Sequence, residues 1–401
     1  MQMKTKQAID TLATKDAMLM NDYQRFTLKT DQNAKIGYPG LMLPLLGLFG
    51  EVGSLLSELK KKQRDSDSYV GYEDSVLEEF GDVLWYFANI SQRANLPLNS
   101  LAQRVLRETA QNNPYTLETV DTFRSIQSAR ERISPVSSET FDRGAMVLAG
   151  KVGRLLDDVS TQRIETNSEL LANHLAEVFR AILRAADDAN VSLEEAVQRN
   201  IRKVTSRWPI DRKYPDLFDA DLDVDEQLPR RIEMLILEKR SGTKTVVFQK
   251  CNGINIGDRL TDNKAEQDDY RFHDVFHLAN AAILGWSPVI RALLKVKRKS
   301  NPGLDETEDG ARAILIEEGV ATWIFNHAAG LNYFSTINTL DYSLLKAVQE
   351  LVRGYEVDVS PLWLWEEAIL QGYKVFRFLR EHRKGVVVAD LVSRTISVQP
   401  A

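Results

Sequence analysis

Five acidic side chains lie in two apolar stretches of the sequence, at spacings that could hold a divalent cation. Glu51 and Glu58 are seven residues apart, so a helix places them nearly in line on one face. Glu78, Glu79 and Asp82 share a face of a second helix, because residues three and four apart are helical neighbours. Carboxylates that meet in a partly buried gap repel unless a cation lies between them. Oxygen-only ligands favour Mg²⁺ or Mn²⁺ over zinc, so the pattern predicts a magnesium site.

Two amphipathic helices must position these acids. Residues 41–90 show apolar side chains at helical spacing in both halves. The two apolar stripes are Leu45, Leu48, Val52, Leu55 and Leu59, then Val76, Phe80, Val83, Leu84 and Phe87. The acids border these stripes, which predicts a site partly buried between adjacent helices. The alternative for any single acid is an ordinary place on a solvated helix face.

The motifs in this stretch also carry a resemblance to a known family. GLFGEVGSLLSELKKK followed by LEEFGDVLWYFANI resembles the MazG-like, all-α nucleoside triphosphate pyrophosphohydrolases, over about residues 23–114. The resemblance implies Mg²⁺-dependent (or Mn²⁺-dependent) cleavage of a nucleotide of the (d)NTP type to a nucleoside monophosphate and pyrophosphate. By position in the motif, Glu51, Glu79 and Asp82 match metal-binding acids. The family's second glutamate is Ser54 here, and Glu58, one turn further on, could substitute for it.

The hypothesis assigns a role to each candidate residue. The expected metal ligands are Glu51, Glu58, Glu79 and Asp82. The expected catalytic acids are Glu51, Glu78, Glu79 and Asp82, with Glu78 or Glu58 taking the proton of the attacking water. The basic residues expected to offset substrate phosphate charge are Lys60, Lys61 and Lys62. The sequence has no Gly-x-x-x-x-Gly-Lys-Ser/Thr pattern, so a P-loop is not the mechanism.

An internal repeat extends the helical region to residue 209. ANVSLEEAVQRNIR from Ala189 repeats ANLPLNSLAQRVLR from Ala94, and a Gly-x-Val-Gly-x-Leu-Leu pattern begins at both Gly50 and Gly150. Residues 138–209 therefore resemble a second copy of the module. In that copy the acids are changed as follows: Glu51 corresponds to Lys151, Glu79 to His174 and Asp82 to Glu177. We predict that the copies pack as a pseudo-dimer, because one helical hairpin cannot bury both of its faces.

The rest of the chain reads as a different domain. Residues 214–229 carry six acids and no base, which predicts an acidic linker. Two β-type runs around Ser241 and Gly242 predict a hairpin, and helical patterning follows to about His382, with a short strand over Gly385–Val388. This region resembles a helical domain found after MazG-like modules. The expected fold is mainly α, a duplicated four-helix module followed by a C-terminal α domain. Its expected divisions are 1–115 (catalytic module), 116–213 (degenerate module), 214–229 (linker) and 230–401 (C-terminal domain).

A second metal site is a further hypothesis. His273 and His277 are four apart, on one face of a predicted helix, and Glu317 lies in an otherwise apolar helix. Two histidines and a buried acid could bind zinc or iron. The alternatives are that the histidines make hydrogen bonds within the core, or that Asp274 and His277 pair with Arg271 and Arg312.

Composition narrows the function classes. A net charge of −6 argues against nucleic-acid binding, and Cys251 is the only cysteine, so no intrachain disulfide can form. The apolar run Leu41–Phe49 is too short to span a bilayer, and residues 1–16 lack the apolar core of a signal peptide. We therefore expect a cytoplasmic protein with a nucleotide substrate and no membrane partner, and a homodimer remains open. The alternative function is a catalytically weak nucleotide sensor coupled to a C-terminal effector domain.

Overall fold

The structure, a computed structural model, describes residues 17–32, 38–110, 119–133, 140–164, 168–242 and 244–401. The chain divides into two compact units, one ending at Ile210 and the other beginning at Asp211. The fold is mainly α with a small antiparallel sheet near the C-terminus, so the predicted fold class is confirmed.

Helices make up the described part of the first unit. They are α1 (Met20–Thr30), α2 (Tyr38–Asp65), α3 (Tyr72–Arg93), α4 (Leu98–Ala110), α5 (Phe123–Ile133), α6 (Phe141–Ser160), α7 (Glu169–Asp188) and α8 (Leu193–Arg207). Their apolar stripes meet in one continuous core. Burial of these stripes, rather than helix propensity, supplies most of the stabilisation of such helices.

Both copies of the repeat contribute to that core. Helix α2 contacts its repeat equivalent α6, while α3 contacts α8 and α4 contacts α7. Val52 and Val152 are equivalent in the repeat, as are Leu55 and Leu155, and all four side chains are buried. The two copies therefore share one hydrophobic core inside the first unit, and α8 of the second copy lies against α3 of the first.

Helix α2 is unusually long and apolar. Within the described ranges, residues 40–68 are the one helical segment whose length and composition would allow a membrane crossing. Leu41, Leu45 and Leu48 are buried against other helices of the first unit, whereas Leu43, Leu46 and Phe49 are exposed.

The second unit joins a five-stranded sheet to several helices. Its elements are β1 (Arg231–Ser241), β2 (Lys244–Cys251), β3 (Ile254–Asn255), α9 (Asp274–Ala279), α10 (Pro288–Leu294), α11 (Pro302–Thr307), α12 (Ala311–Ala329), α13 (Tyr342–Leu351), α14 (Leu362–His382), β4 (Lys384–Asp390) and β5 (Thr395–Gln399). The strand order is β3-β2-β1-β4-β5, with every neighbouring pair antiparallel. The predicted hairpin is β1–β2 and the predicted last strand is β4, whereas the short strands β3 and β5 were not anticipated. Helices α9 and α14 contact β4 and β5.

Residues 214–229 do not form the linker that their acidity predicted. Asp219 is fully buried, with one carboxylate oxygen 2.7 Å from Arg230 Nη1 and the other 2.6 Å from Arg291 Nη2. Glu226 is also buried. The segment is therefore part of the second unit. The pattern was misleading because acid runs are usually solvated, and the arginine that balances Asp219 most closely lies far along the chain.

Candidate metal centre on helices α2 and α3

Three carboxylates converge where α2 packs against α3. Glu51 on α2 and Glu79 and Asp82 on α3 each offer an oxygen, and the three atoms lie within 4.8 Å of one another. Their apolar neighbours Val52 and Phe80 face the core, so the acids lie at the border of the buried layer. The structure thus brings together the three residues that match the metal-binding acids of the family motif.

The electrostatics of this group favour binding of a cation between the carboxylates. Burial and the neighbouring carboxylates of Glu51 and Asp82 raise the pKa of Glu79 to about 8. Burial and the charge of Asp82 also raise the pKa of Glu51. Atom Oε2 of Glu79 is buried and accepts no hydrogen bond from any described residue. An all-oxygen cluster that resists full ionisation fits a hard divalent cation such as Mg²⁺ or Mn²⁺.

Glu58 lies outside this cluster, so the structure does not support it as the substitute for the missing glutamate at Ser54. It is buried and faces Lys61, whose Nζ lies 2.6 Å from Oε1, and it accepts a hydrogen bond from the Tyr69 hydroxyl. The reason is distance along α2: seven residues correspond to a rise of about 10 Å, which takes Glu58 two turns away from Glu51.

The lysines at the end of α2 have different surroundings. Lys61 is paired with Glu58, and Lys62 donates a hydrogen bond to the Ser66 carbonyl at 3.1 Å. Lys60 is exposed. Among the three lysines expected to meet phosphate, Lys61 therefore already balances a protein carboxylate.

Sequence reasoning missed two residues of α8 that complete the site. Lys203 Nζ lies 2.5 Å from Asp82 Oδ2 and 3.0 Å from Glu78 Oε1. Asn200 Nδ2 donates to Asp82 Oδ1 at 2.9 Å, and its Oδ1 accepts from the Tyr23 hydroxyl at 3.0 Å. Burial raises the pKa of Asp82, while the charge of Lys203 opposes that rise. Glu78, the expected proton acceptor, is thus placed beside Lys203 rather than in the three-carboxylate cluster.

The repeat contained a signal for both residues. At the offset that aligns the two copies, Asn200 stands where the first copy has the buried Val105, and Lys203 stands where it has Glu108. The second copy thus has a polar side chain at a core position and a reversed charge one turn away. These two changes indicate that this face of α8 has a different role from its equivalent in the first copy.

Gly81 explains how α8 comes so close to these acids. A Cβ atom at Gly81 would lie 2.7 Å from the Ala196 carbonyl oxygen and 3.0 Å from Asn200 Cβ. Gly50 and Gly53 are different, since no atom of the described chain lies within 4 Å of a Cβ at either position. The motif glycines therefore have two roles. Gly81 allows α8 to pack closely against α3, whereas Gly50 and Gly53 leave space beside Glu51.

The equivalent place in the second copy holds an ion pair. Lys151 Nζ lies 2.7 Å from Glu177 Oε2, and its hydrogen bond lowers the pKa of that carboxyl. His174 Nε2 lies 3.2 Å from Asp158 Oδ2. A lysine thus occupies the position that Glu51 has in the first copy, and the described residues of this copy form no comparable group of acids.

The second unit also contains a cluster with metal-ligand chemistry. His273, Asp274 and His277 each place a ligand atom within 4.8 Å of the others. Glu317 is not in this group; its Oε1 lies 3.1 Å from Nδ1 of His277. Burial would lower the pKa of His277, but the carboxylates of Glu317 and Glu318 raise it well above the ordinary value.

The fold and the clustered carboxylates define the class as a mainly α protein with a candidate oxygen-ligand metal centre. Comparison with known proteins adds that residues 213–401 match the family model of the MazG C-terminal domain. A segment of 71 residues is 35% identical to the Gene 37 protein of Mycobacterium phage L5, covering 17% of this chain and 62% of that protein. The chain thus spans less than two thirds of the length of this relative. No solved structure matches. The resemblance to MazG-like proteins with a C-terminal helical domain is confirmed.

Proposed function

We propose that the first unit is a Mg²⁺-dependent nucleotide pyrophosphohydrolase that cleaves (d)NTP-type substrates to a nucleoside monophosphate and pyrophosphate. The observation that carries this proposal is the group formed by Glu51, Glu79 and Asp82, whose oxygens converge within 4.8 Å. The matched C-terminal domain, described as that of MazG, supports the same class.

The three clustered acids would hold the cation, Mg²⁺ or Mn²⁺. When bound, it would neutralise polyphosphate charge and lower the pKa of a water molecule. Asn200 fixes one oxygen of Asp82 by a hydrogen bond, which leaves the orientation of that carboxylate set before any ligand arrives. Lys203 balances the charge of Asp82 and Glu78, and we assign it to offsetting the charge of the substrate phosphates. Glu78 is outside the three-carboxylate group, so its carboxylate is the acceptor we assign to the proton of the attacking water.

The test is product analysis with the full chain. Each common ribo- and deoxyribonucleoside triphosphate is incubated with Mg²⁺, and chromatography separates monophosphate from diphosphate. We expect monophosphate with equimolar pyrophosphate, and its loss in Glu79→Gln. The matched control is His174→Gln, the same substitution product at the equivalent position of the second copy, which should retain activity. Diphosphate as product, or equal turnover in Glu79→Gln, would contradict the proposal.

A nucleotide sensor is the second candidate. Ser54 lacks the carboxylate of the family motif, and Glu58 is engaged with Lys61 and Tyr69 instead of replacing it. A sensor would bind nucleotide and Mg²⁺ without releasing pyrophosphate, so calorimetric binding without product decides for it.

We place either activity in the cytoplasm, where nucleotide pools lie, and cell fractionation tests this placement.

A further inference from the structure

The Nε2 atoms of two histidines in the second unit lie close to carboxylate oxygens of Asp274 and Glu318. His273 Nε2 lies 3.1 Å from Asp274 Oδ1 and 3.6 Å from Glu318 Oε2. His277 Nε2 lies 3.4 Å from the same oxygen of Glu318. A tetrahedral shell with metal–ligand bonds of about 2.1 Å has ligand–ligand edges of about 3.4 Å. These three separations lie close to that edge length.

The outer nitrogens of both histidines have partners that fix the rings. His273 Nδ1 lies 2.9 Å from the Tyr270 carbonyl oxygen, which can only accept, so Nδ1 carries the hydrogen and Nε2 presents its lone pair. His277 Nδ1 lies 3.1 Å from Glu317 Oε1, a carboxylate–histidine arrangement common behind metal ligands. Both rings thus direct Nε2 toward the carboxylate of Glu318.

Glu317 is held as a positioning residue and not as a ligand. Its Oε1 accepts from Asn280 Nδ2 at 3.2 Å, and its Oε2 accepts from Ser287 Oγ and the Val289 N–H, each at 3.0 Å. These bonds leave Glu317 engaged on the side of His277 away from the cluster. Glu318, the next residue, is the acid that reaches both Nε2 atoms.

The fourth side chain is oriented in the same way. Asp274 Oδ2 accepts a hydrogen bond from Gln249, a buried residue of β2, which leaves Oδ1 directed at His273. The site therefore rests on regular elements: β2 supports α9, and α12 supplies Glu318. Ligands on such elements are positioned more accurately than ligands on loops.

His277 gives an independent reason to expect a ligand here. The side chain is fully buried, and its Nε2 lies 3.4 Å from Glu318 Oε2 without meeting hydrogen-bond geometry to any residue that the structure describes. A buried polar atom without a hydrogen bond destabilises the folded state, so such atoms call for an explanation. A metal ion bound beside Glu318 would coordinate this nitrogen together with Nε2 of His273.

We propose that the second unit binds a divalent first-row transition metal through His273, Asp274, His277 and Glu318. Two imidazoles and two carboxylates suit zinc or ferrous iron better than magnesium, which separates this site from the all-oxygen group of the first unit. The Glu318 side chain is 37% exposed, whereas that of His277 is 0% exposed, so the ion enters from the Glu318 side.

Zinc is the probe for the test. The full chain is stripped with a chelator, saturated with Mg²⁺ and titrated with zinc by calorimetry, and Tm is followed with and without zinc. We expect one zinc per chain, a higher Tm with zinc, and binding at least about 100-fold weaker in His273→Ala and Glu318→Gln. Glu318→Gln is nearly isosteric and partly exposed, so it keeps the test valid if His273→Ala fails to fold.

Two controls locate the zinc. His327→Ala removes an exposed histidine of α12 outside the cluster, and Glu79→Gln disrupts the acids of the first unit; both should retain one zinc per chain. Zinc binding that survives Glu318→Gln and His273→Ala would overturn the proposal. So would a folded wild-type chain that takes up no zinc, since His277 would then be a histidine that pairs only with the adjacent carboxylates.

Discussion

Lys203 Nζ lies 2.5 Å from Asp82 Oδ2, although the two residues are 121 positions apart in the chain. Asp82 belongs to the copy of the repeat that kept its acids, and Lys203 to the copy that lost them. The second copy is therefore more than a scaffold, because its helix α8 supplies the cation beside the candidate metal centre of the first.

Removing that cation should weaken the site. In Lys203→Met the charges of Asp82 and Glu78 lose their common partner, so we expect kcat/KM for pyrophosphate release to fall by about 10-fold to 100-fold. Arg202→Met is the control, because Arg202 is the exposed neighbour on the same helix. Equal activity in the two variants would mean that Lys203 is only a surface charge.

Gly81 should tolerate no side chain. A methyl group there would overlap the Ala196 carbonyl oxygen, so Gly81→Ala must push α8 away from α3, at a cost of about 1–3 kcal/mol. Gly50→Ala is the matched helical control, where open space lets the better helix propensity of alanine raise stability by up to about 1 kcal/mol. Chemical denaturation measures both, and opposite signs are expected.

The acids were predictable from sequence and Lys203 was not, for a physical reason. Glu51, Glu79 and Asp82 lie on two helices whose periodicity is local, so their shared faces follow from spacing alone. An ion pair across 121 positions leaves no local pattern. It becomes visible only when the copies are aligned and Asn200 is found in place of a core valine.

In the second unit, too, local features were predictable from the sequence and long-range contacts were not. The hairpin β1–β2 was predictable because its turn and its strands are adjacent in sequence. The buried Asp219 was not, since one of its partners, Arg291, is 72 positions away and acidic composition alone predicts exposure. Similarly, spacing identified His273 and His277, but only the structure distinguishes Glu318, which faces them, from Glu317, which holds His277 from behind.

The Tm of the metal-free protein should depend on pH, because ionisation of the clustered acids destabilises the folded state. The folded-state pKa of Glu79 is about 8, above its ordinary value of 4.5. Stability gained from protonated Glu79 is therefore complete below pH 4.5 and is lost as the pH rises to about 8. Glu79→Gln cannot ionise, so its Tm should exceed that of the wild type by an amount that grows from pH 5 to pH 8 and then levels. His174→Gln provides the baseline, and a Tm difference independent of pH would contradict the raised pKa.

Restoring the missing carboxylate separates the enzyme from the sensor. Ser54 is three residues after Glu51, so Ser54→Glu would place a fourth acid on the same face of α2. We expect tighter Mg²⁺ binding, by about tenfold, because one more ionised oxygen faces the cation. The metal-free variant should have a lower Tm than the wild type, because the added charge joins acids that already resist ionisation.

Ser57→Glu is the control, since residue 57 is six positions from Glu51 and lies on another face. If the wild type is an enzyme, turnover changes little while the Mg²⁺ requirement falls. If it is a sensor, pyrophosphate release should appear only in Ser54→Glu, and a variant with neither tighter Mg²⁺ binding nor release would show that residue 54 does not face the site.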